Sequence, residues 1–258
     1  MRSLSDAAPS QFASVRFVLT DMDETLTYRG RLSAATYDAL ERLQSAGVKV
    51  IPVTAAPAGW CDQMARMWPV DGVIGENGGL FIQRAPNGHG VLRRFWHGDA
   101  QTETVARLCA LAETIAQETG AVFADDQPFR LTSVAFAQPD SERQRDRILA
   151  ALKAAGTDAT VNNLWVLGWL GGYDKLTMAR RILQQAFDLD IDAEPEAVLY
   201  CGDSANDAPM FQFFRHTVGV STVRNCLGEI PVAPRWVTQG PGGAGFVEAA
   251  NAVLAGRK

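Results

Sequence analysis

Short apolar runs of strand length alternate with stretches of helical periodicity along much of this chain, and that alternation limits the possible folds more than any other feature. Val15–Thr20 and Val48–Val53 are β-branched and apolar, and each is followed by a segment whose apolar residues recur at helical spacing. From Ser33, which suits a helix N-cap, Tyr37, Leu40 and Leu43 mark one helical face until Gly47. Pro57 suits the first turn of a second helix reaching about Trp68, and Gly72–Gly75 reads as a third short strand. Strands joined by helices pair in parallel through right-handed crossovers, so this order predicts an open α/β sheet with helices on both faces.

The pattern breaks after Arg84. Ala85–Gly90 is a loop signal, Val91–Trp96 reads as a strand, and Val105, Leu108, Leu111, Ala112 and Ile115 mark a long helix. Leu131–Ala137 is a further strand, Ser141 and Gln144 have the spacing of a capping box ahead of a helix with Ile148, Leu149 and Leu152, and Ala159–Trp169 reads as more strand. After Gly171 and Gly172 the alternation resumes: a helix through Leu176, Ala179, Ile182 and Leu183, a strand Ala197–Cys201, and a helix near Ala208–Phe214. The expected organisation is an α/β core of residues 1–84 and 172–258, interrupted by an α+β insert over 85–171.

Composition narrows the function classes. With 47% hydrophobic and 21% charged residues the chain has the make-up of a globular protein. Its 24 basic side chains against 29 acidic ones leave a net charge of −5, which argues against nucleic acid as partner. No apolar run reaches the ~18–20 residues of a membrane helix, and the first residues lack the apolar segment of a signal peptide, so no membrane association and a cytoplasmic location are expected. Cys61, Cys109, Cys201 and Cys226 lie far apart without metal-ligand spacing, and read as reduced, buried thiols. The only histidines are His89, His97 and His216, too few for a polyhistidine metal site and an unpromising basis for a Ser-His-Asp hydrolase.

Two acidic clusters carry the chemistry. Asp21-Met22-Asp23-Glu24-Thr25-Leu26-Thr27 directly follows an apolar strand, at the end of an open sheet where ligands bind. Residues i and i+2 of extended chain project to one side, so Asp21 and Asp23 can converge on one ligand. Gly202-Asp203-Ser204-Ala205-Asn206-Asp207 follows another apolar strand, with Gly202 permitting a sharp turn. Carboxylates gathered in this way repel unless a cation or shared proton offsets them, and such a hard oxygen site suits Mg²⁺. Thr54 ends a third strand, and Lys175 stands at a helix start, where the macrodipole does not favour a cation.

In this order, the Asp21-x-Asp23-x-Thr25-Leu26-Thr27 motif, Thr54, Lys175 and the Gly202–Asp207 motif resemble the haloacid dehalogenase superfamily of phosphohydrolases, with a Rossmann-like core. The position of the insert between Thr54 and Lys175 resembles the subfamily IIB cap, found in sucrose-phosphate, trehalose-phosphate and mannosyl-phosphoglycerate phosphatases and in phosphomannomutase. The resemblance implies Asp21 as nucleophile, Asp23 as general acid and base, and Mg²⁺ held by Asp21, Asp23 through its carbonyl, and Asp203. It implies Thr54, Lys175 and Asn206 as phosphate contacts, with Asp207 orienting Lys175 and the metal's waters, and Thr25 bracing the loop. Gly75-Glu76-Asn77-Gly78-Gly79 resembles a loop beside the active site, so Ala55, Glu76 and Asn77 join the expected substrate contacts. The family's common Thr-Gly-Arg is here Thr54-Ala55-Ala56, without the arginine fork for an anion.

The expected function is therefore Mg²⁺-dependent hydrolysis of a small phosphomonoester, a sugar phosphate by resemblance. Phosphosugar mutase chemistry, or phosphosugar binding with weak turnover, are the alternatives. Arg93, Arg94, Trp96, Arg130, Trp165 and Trp169 of the insert have side chains suited either to sugar and anion contacts or to packing. Gly240–Gly245 lacks the Lys-Ser/Thr ending of a phosphate-binding loop and reads as a flexible loop.

Overall fold

The computed structural model describes residues 1–162 and 164–257. Its centre is a parallel sheet of six strands: β1 (Arg2–Ser3), β2 (Phe17–Thr20), β5 (Lys49–Pro52), β12 (Val198–Gly202), β13 (His216–Gly219) and β14 (Trp236–Val237). They lie in the order β1-β14-β13-β12-β2-β5, all neighbours parallel. A Rossmann-like α/β core of this kind buries its strands from both faces, which is why β2 and β12 are apolar without interruption by charge. Successive side chains then serve opposite cores: Val18, Leu199 and Cys201 pack on one side, Phe17, Leu19, Val198 and Tyr200 on the other.

Helices α1 (Ala34–Ser45), α2 (Ala58–Met67) and α7 (Gly242–Ala255) supply Leu40, Leu43, Met64 and Phe246 to the first of these cores. Helices α5 (Lys175–Phe187) and α6 (Ala208–Phe213) supply Met178, Ile182 and Phe211 to the second. The expected N-cap of α1 is present, Ser33 Oγ accepting from Thr36 N at 3.1 Å. A small hairpin, β3 (Thr27–Tyr28) with β4 (Arg31–Leu32), leaves the end of β2 and stands over the sheet's carboxyl edge.

The strand expected to open the insert belongs elsewhere. β6 (Val73–Gly75), β7 (Leu80–Arg84) and β8 (Val91–Phe95) form an antiparallel sheet, and Ile74 bridges Val53 beside the central sheet. The boundary expected after Arg84 thus falls in the turn of a hairpin, whose Val91 and Phe95 pack on the core. The second unit follows Trp96, with α3 (Gln101–Thr119) and α4 (Glu142–Ala154) on one face of a sheet ordered β10 (Asp158–Val161), β11 (Trp165–Trp169), β9 (Ser133–Ala137). Side chains again alternate: Val134, Phe136 and Val166 meet the two helices, while Ala135, Leu167 and Trp169 face Ala55 of the core.

The run expected as one strand over Ala159–Trp169 is a hairpin. Asn162 Oδ1 accepts from Leu164 N at 2.9 Å and Trp165 N at 2.7 Å, the turn-forming use of an asparagine; Asn163 lies outside the described residues. The expected capping box of α4 does not form. Ser141 makes no side-chain cap, and Gln144 Nε2 donates to Gly120 O instead.

The glycine run is not a loose loop either. Gly242 to Gly245 form the first turn of α7, and a Cβ on Gly243 would collide with Leu26 O and Thr36 Oγ1. The helix thereby approaches the segment that follows Asp21 closely, as only glycine allows.

Candidate active site

The carboxyl ends of β2 and β12, adjacent in the sheet, bring the two acidic clusters together. Asp21 follows β2 and is fixed by its own N–H, which donates to Cys201 O at 2.8 Å. Asp207 is completely buried beyond β12, and its approach explains Gly202. A Cβ there would run into the Asp207 carboxylate, so the glycine is required by close approach rather than by the turn expected from sequence.

Lys175 joins the clusters. From the first turn of α5, its Nζ donates to Asp21 Oδ1 at 2.7 Å, to Asp207 Oδ1 at 2.9 Å and to Asn206 Oδ1 at 3.3 Å. The helix start is capped by Asp174, which accepts from Thr177 N at 2.7 Å. Burial alone would push the Lys175 ammonium down, but Asp207 and Asp21 outweigh it and hold the group above its ordinary range.

Asp207 is saturated with donors. Its Oδ1 accepts from Lys175 and from the Tyr200 hydroxyl at 2.5 Å, and its Oδ2 from Asp203 N at 2.9 Å and Ser204 N at 3.1 Å. The sequence reading missed Tyr200, although a tyrosine inside an apolar strand signals a buried hydroxyl in need of a partner. Thr25 braces the site as expected, its Oγ1 donating to Asp203 Oδ1 at 3.0 Å.

Asp21, Asp203 and Asp207 each bring a carboxylate oxygen within 4.8 Å of the others. Burial, only partly opposed by Lys175 and reinforced by Asp207 and Asp203, drives the Asp21 carboxyl well above its usual value. Burial and then Asp207 raise Asp203 to about 7. Asp23 is accessible on the wall of the cavity, whose crowding strips solvent from its carboxyl and raises it against the pull of Lys175. One ammonium does not balance these carboxylates, and a hard divalent cation would. The donor set therefore fits Mg²⁺.

A cavity of about 380 Å³ opens over this cluster, lined by Asp21, Asp23, Ala55, Asp203 and Asn206 among the expected residues. Glu24, Glu229 and Cys226 also line it, as do Val161, Asn162 and Leu164 from the β10–β11 hairpin. Those contributions were not foreseen, because residues so distant in sequence carry no local signal of their meeting.

Other expected residues lie in a separate network. Thr54 is buried, its Oγ1 accepting from Ala56 N at 3.0 Å and its carbonyl from Asn77 N at 3.0 Å. Glu76 is completely buried and makes no wall of the cavity. Its carboxylate accepts from Ala58 N, Leu131 N, Thr132 N, Thr132 Oγ1 and Ser133 Oγ at 2.7–3.0 Å, tying the helical insert to the core. An anionic acceptor already filled in this way is unsuited to meeting a phosphate.

The aromatic and basic side chains named from the insert serve mainly as packing. Arg130 is buried in a forked pair with Asp126 at 2.7 and 3.0 Å and donates to Ala55 O at 3.2 Å. Arg93 pairs with Asp62, Trp96 donates to Gly171 O at 3.1 Å under the Arg181 guanidinium, and Trp169 stacks on Tyr173. Arg94 and Trp165 do not line the cavity. Of the cysteines, all unpaired, Cys61 and Cys201 are buried as expected while Cys109 is exposed. No helix among the described residues is long and apolar enough to cross a membrane.

Comparison with known proteins agrees with this architecture. The family model of haloacid dehalogenase-like hydrolases matches residues 18–127. A Thermoplasma acidophilum protein of known structure is 19% identical, the match covering 93% of this chain and 99% of that one, with a TM-score of 0.75. A phosphatase of the haloalkanoate (HAD) superfamily from Bacteroides thetaiotaomicron is 18% identical over 97% of this chain and 99% of its own, TM-score 0.67. A trehalose-6-phosphate phosphatase related protein is 15% identical over 92% and 95%, TM-score 0.60. Comparison with curated protein sequences gave no match. Residues 18–127 are thus similar to the haloacid dehalogenase-like hydrolases, and the chain as a whole shares the fold of these solved structures.

Proposed function

We propose that the protein hydrolyses a phosphomonoester through an aspartyl-phosphate at Asp21, with residues 97–171 acting as the cap. The supporting observation is Lys175, which bridges Asp21 and Asp207 at the ends of two adjacent parallel strands. It holds the Asp21 carboxylate in one orientation and carries positive charge where phosphoryl oxygens would lie.

Asp21 attacks phosphorus, and the bond to the leaving oxygen breaks. Asp23, whose raised carboxyl retains a proton more readily than an ordinary aspartate, gives that proton to the departing alkoxide. The resulting Asp23 carboxylate then takes a proton from water as the water attacks the acyl-phosphate, releasing phosphate and restoring Asp21. Ala55 and Asn206, which line the cavity, contribute to the phosphate cradle beside Lys175, while Thr54 holds the backbone of Ala56 beneath it. Asp207 holds Lys175 in place. Mg²⁺ would be held by Asp21, Asp203 and the Asp23 carbonyl, where it would neutralise the repulsion between an anionic nucleophile and an anionic substrate. A sugar phosphate is the substrate class implied by the family resemblance.

Phosphate release from sugar phosphates and an aryl phosphate, with Mg²⁺ or with chelator, tests the reading. Metal-dependent turnover that falls by roughly 10⁴ or more in Asp21→Asn is expected. Turnover that survives this substitution overturns the assignment.

A further inference from the structure

A second cavity, of about 420 Å³, adjoins the first and shares Asp23 and Leu164 with it. Its walls are Leu32 of the β3–β4 hairpin, Trp60 and Met64 of α2, Trp68 just beyond that helix, and Leu164 of the cap. Trp60 and Leu164 are each 52% exposed and adjoin Leu32, Met64 and Trp68 in one contiguous apolar wall. Asp23 and Leu164 stand at the junction of the two cavities, so a molecule whose reacting oxygen lies at Asp23 has its remaining atoms beside this wall. An apolar space of ~150 Å³ already holds a benzene ring, so the room is sufficient.

Charge points the same way. Among the described residues lining either cavity there is no lysine, arginine or histidine, whereas Glu24 and Glu229 add negative charge to Asp21, Asp23 and Asp203. A second anionic group on the substrate would find no partner and several repelling carboxylates. The wall of the second cavity is mostly apolar, so a polyhydroxylated ring laid against Trp60, Met64 and Leu164 would lose water from its hydroxyls and meet polar side chains only at Gln63, Thr27 and Asp23.

We propose that the substrate's leaving group carries no negative charge and presents an apolar face, seated in the Trp60–Leu164 cavity. This rests on the phosphomonoester hydrolase reading and puts monophosphates of apolar alcohols in the place of the sugar phosphates that the resemblance implies.

The test compares primary alkyl phosphates of similar intrinsic reactivity: 2-phenylethyl phosphate, ethyl phosphate, glucose 6-phosphate and 3-phosphoglycerate, each with Mg²⁺. The expected kcat/KM for 2-phenylethyl phosphate exceeds that of the other three by about tenfold or more. Trp60→Ala and Leu164→Ala each narrow that advantage. Equal rates, preference for glucose 6-phosphate or 3-phosphoglycerate, or an advantage untouched by both substitutions would overturn the proposal. Saturation-transfer NMR of 2-phenylethyl phosphate separates the two readings. With no turnover on any substrate the hydrolase reading falls, yet transfer to the phenyl protons that disappears in Trp60→Ala upholds the cavity, and absence of transfer to the unaltered protein overturns it.

Discussion

The Tyr200 hydroxyl donates to Asp207 Oδ1 at 2.5 Å, the same oxygen that accepts the Lys175 ammonium. Tyr200 lies wholly inside the sheet, and burial, then the neighbouring Asp207 charge, keeps its hydroxyl protonated far above the usual phenol range. The pair fixes the carboxylate that fixes the lysine, linking the core of the protein to its reacting end.

Tyr200→Phe removes that donor while keeping the ring. The expected cost is about 1–3 kcal/mol of stability, together with a fall in kcat as Lys175 and Asp207 lose their fixed arrangement. Urea unfolding and steady-state kinetics measure both, and unchanged kcat would assign Tyr200 to packing alone.

Glu76→Gln should loosen the cap. The carboxylate accepts five hydrogen bonds, and an amide in its place turns an –NH₂ donor toward other donors. A loss of about 3 kcal/mol or more is expected, read as a fall in Tm of roughly 6–12 °C. Faster limited proteolysis near His97 and Gly172 should accompany it.

Arg130→Met leaves Asp126 buried without its guanidinium, for an expected loss of about 3–5 kcal/mol. Removing the other charge as well, in Arg130→Met with Asp126→Leu, should recover most of that loss. A double-mutant cycle by urea denaturation gives the coupling.

His216 in β13 makes stability depend on pH. Burial, then Arg235 and Arg215, hold its imidazole below the ordinary value of about 6.5, against a smaller opposing pull from Glu196. Below 6.5 the unfolded chain binds more protons at this residue than the folded one, so its contribution is full above that pH and declines as pH falls toward the folded value. The urea midpoint of His216→Gln should fall less than that of the unaltered protein between pH 7 and 5.

Much of the core was legible because its signals are local. The apolar runs of β2, β5 and β12 stop at chemistry-bearing residues, and Ser33, Leu40 and Leu43 mark α1 within one window. Legibility failed where a local signal has two meanings. Ala85–Gly90 reads equally as a boundary or a hairpin turn, and only the register of Phe81 against Arg94 decides for the hairpin. Glu76 was misread because four of its five donors stand 55–57 residues away, and nothing within its own loop reveals them. Lys175 stood out for the opposite reason: a cation at a helix start conflicts with the local dipole, and the conflict is resolved by Asp21 and Asp207.

The central claim is that the phosphoryl group passes through Asp21, and trapping tests it most directly. In Asp23→Asn, which has lost the group that activates water, rapid quenching with Mg²⁺ and an aryl phosphate, whose leaving group departs without a proton, followed by peptide mass spectrometry should find one phosphoryl group on Asp21. A phosphoryl group on another residue, or release of phosphate by Asp21→Asn at the rate of the unaltered protein, would contradict the account.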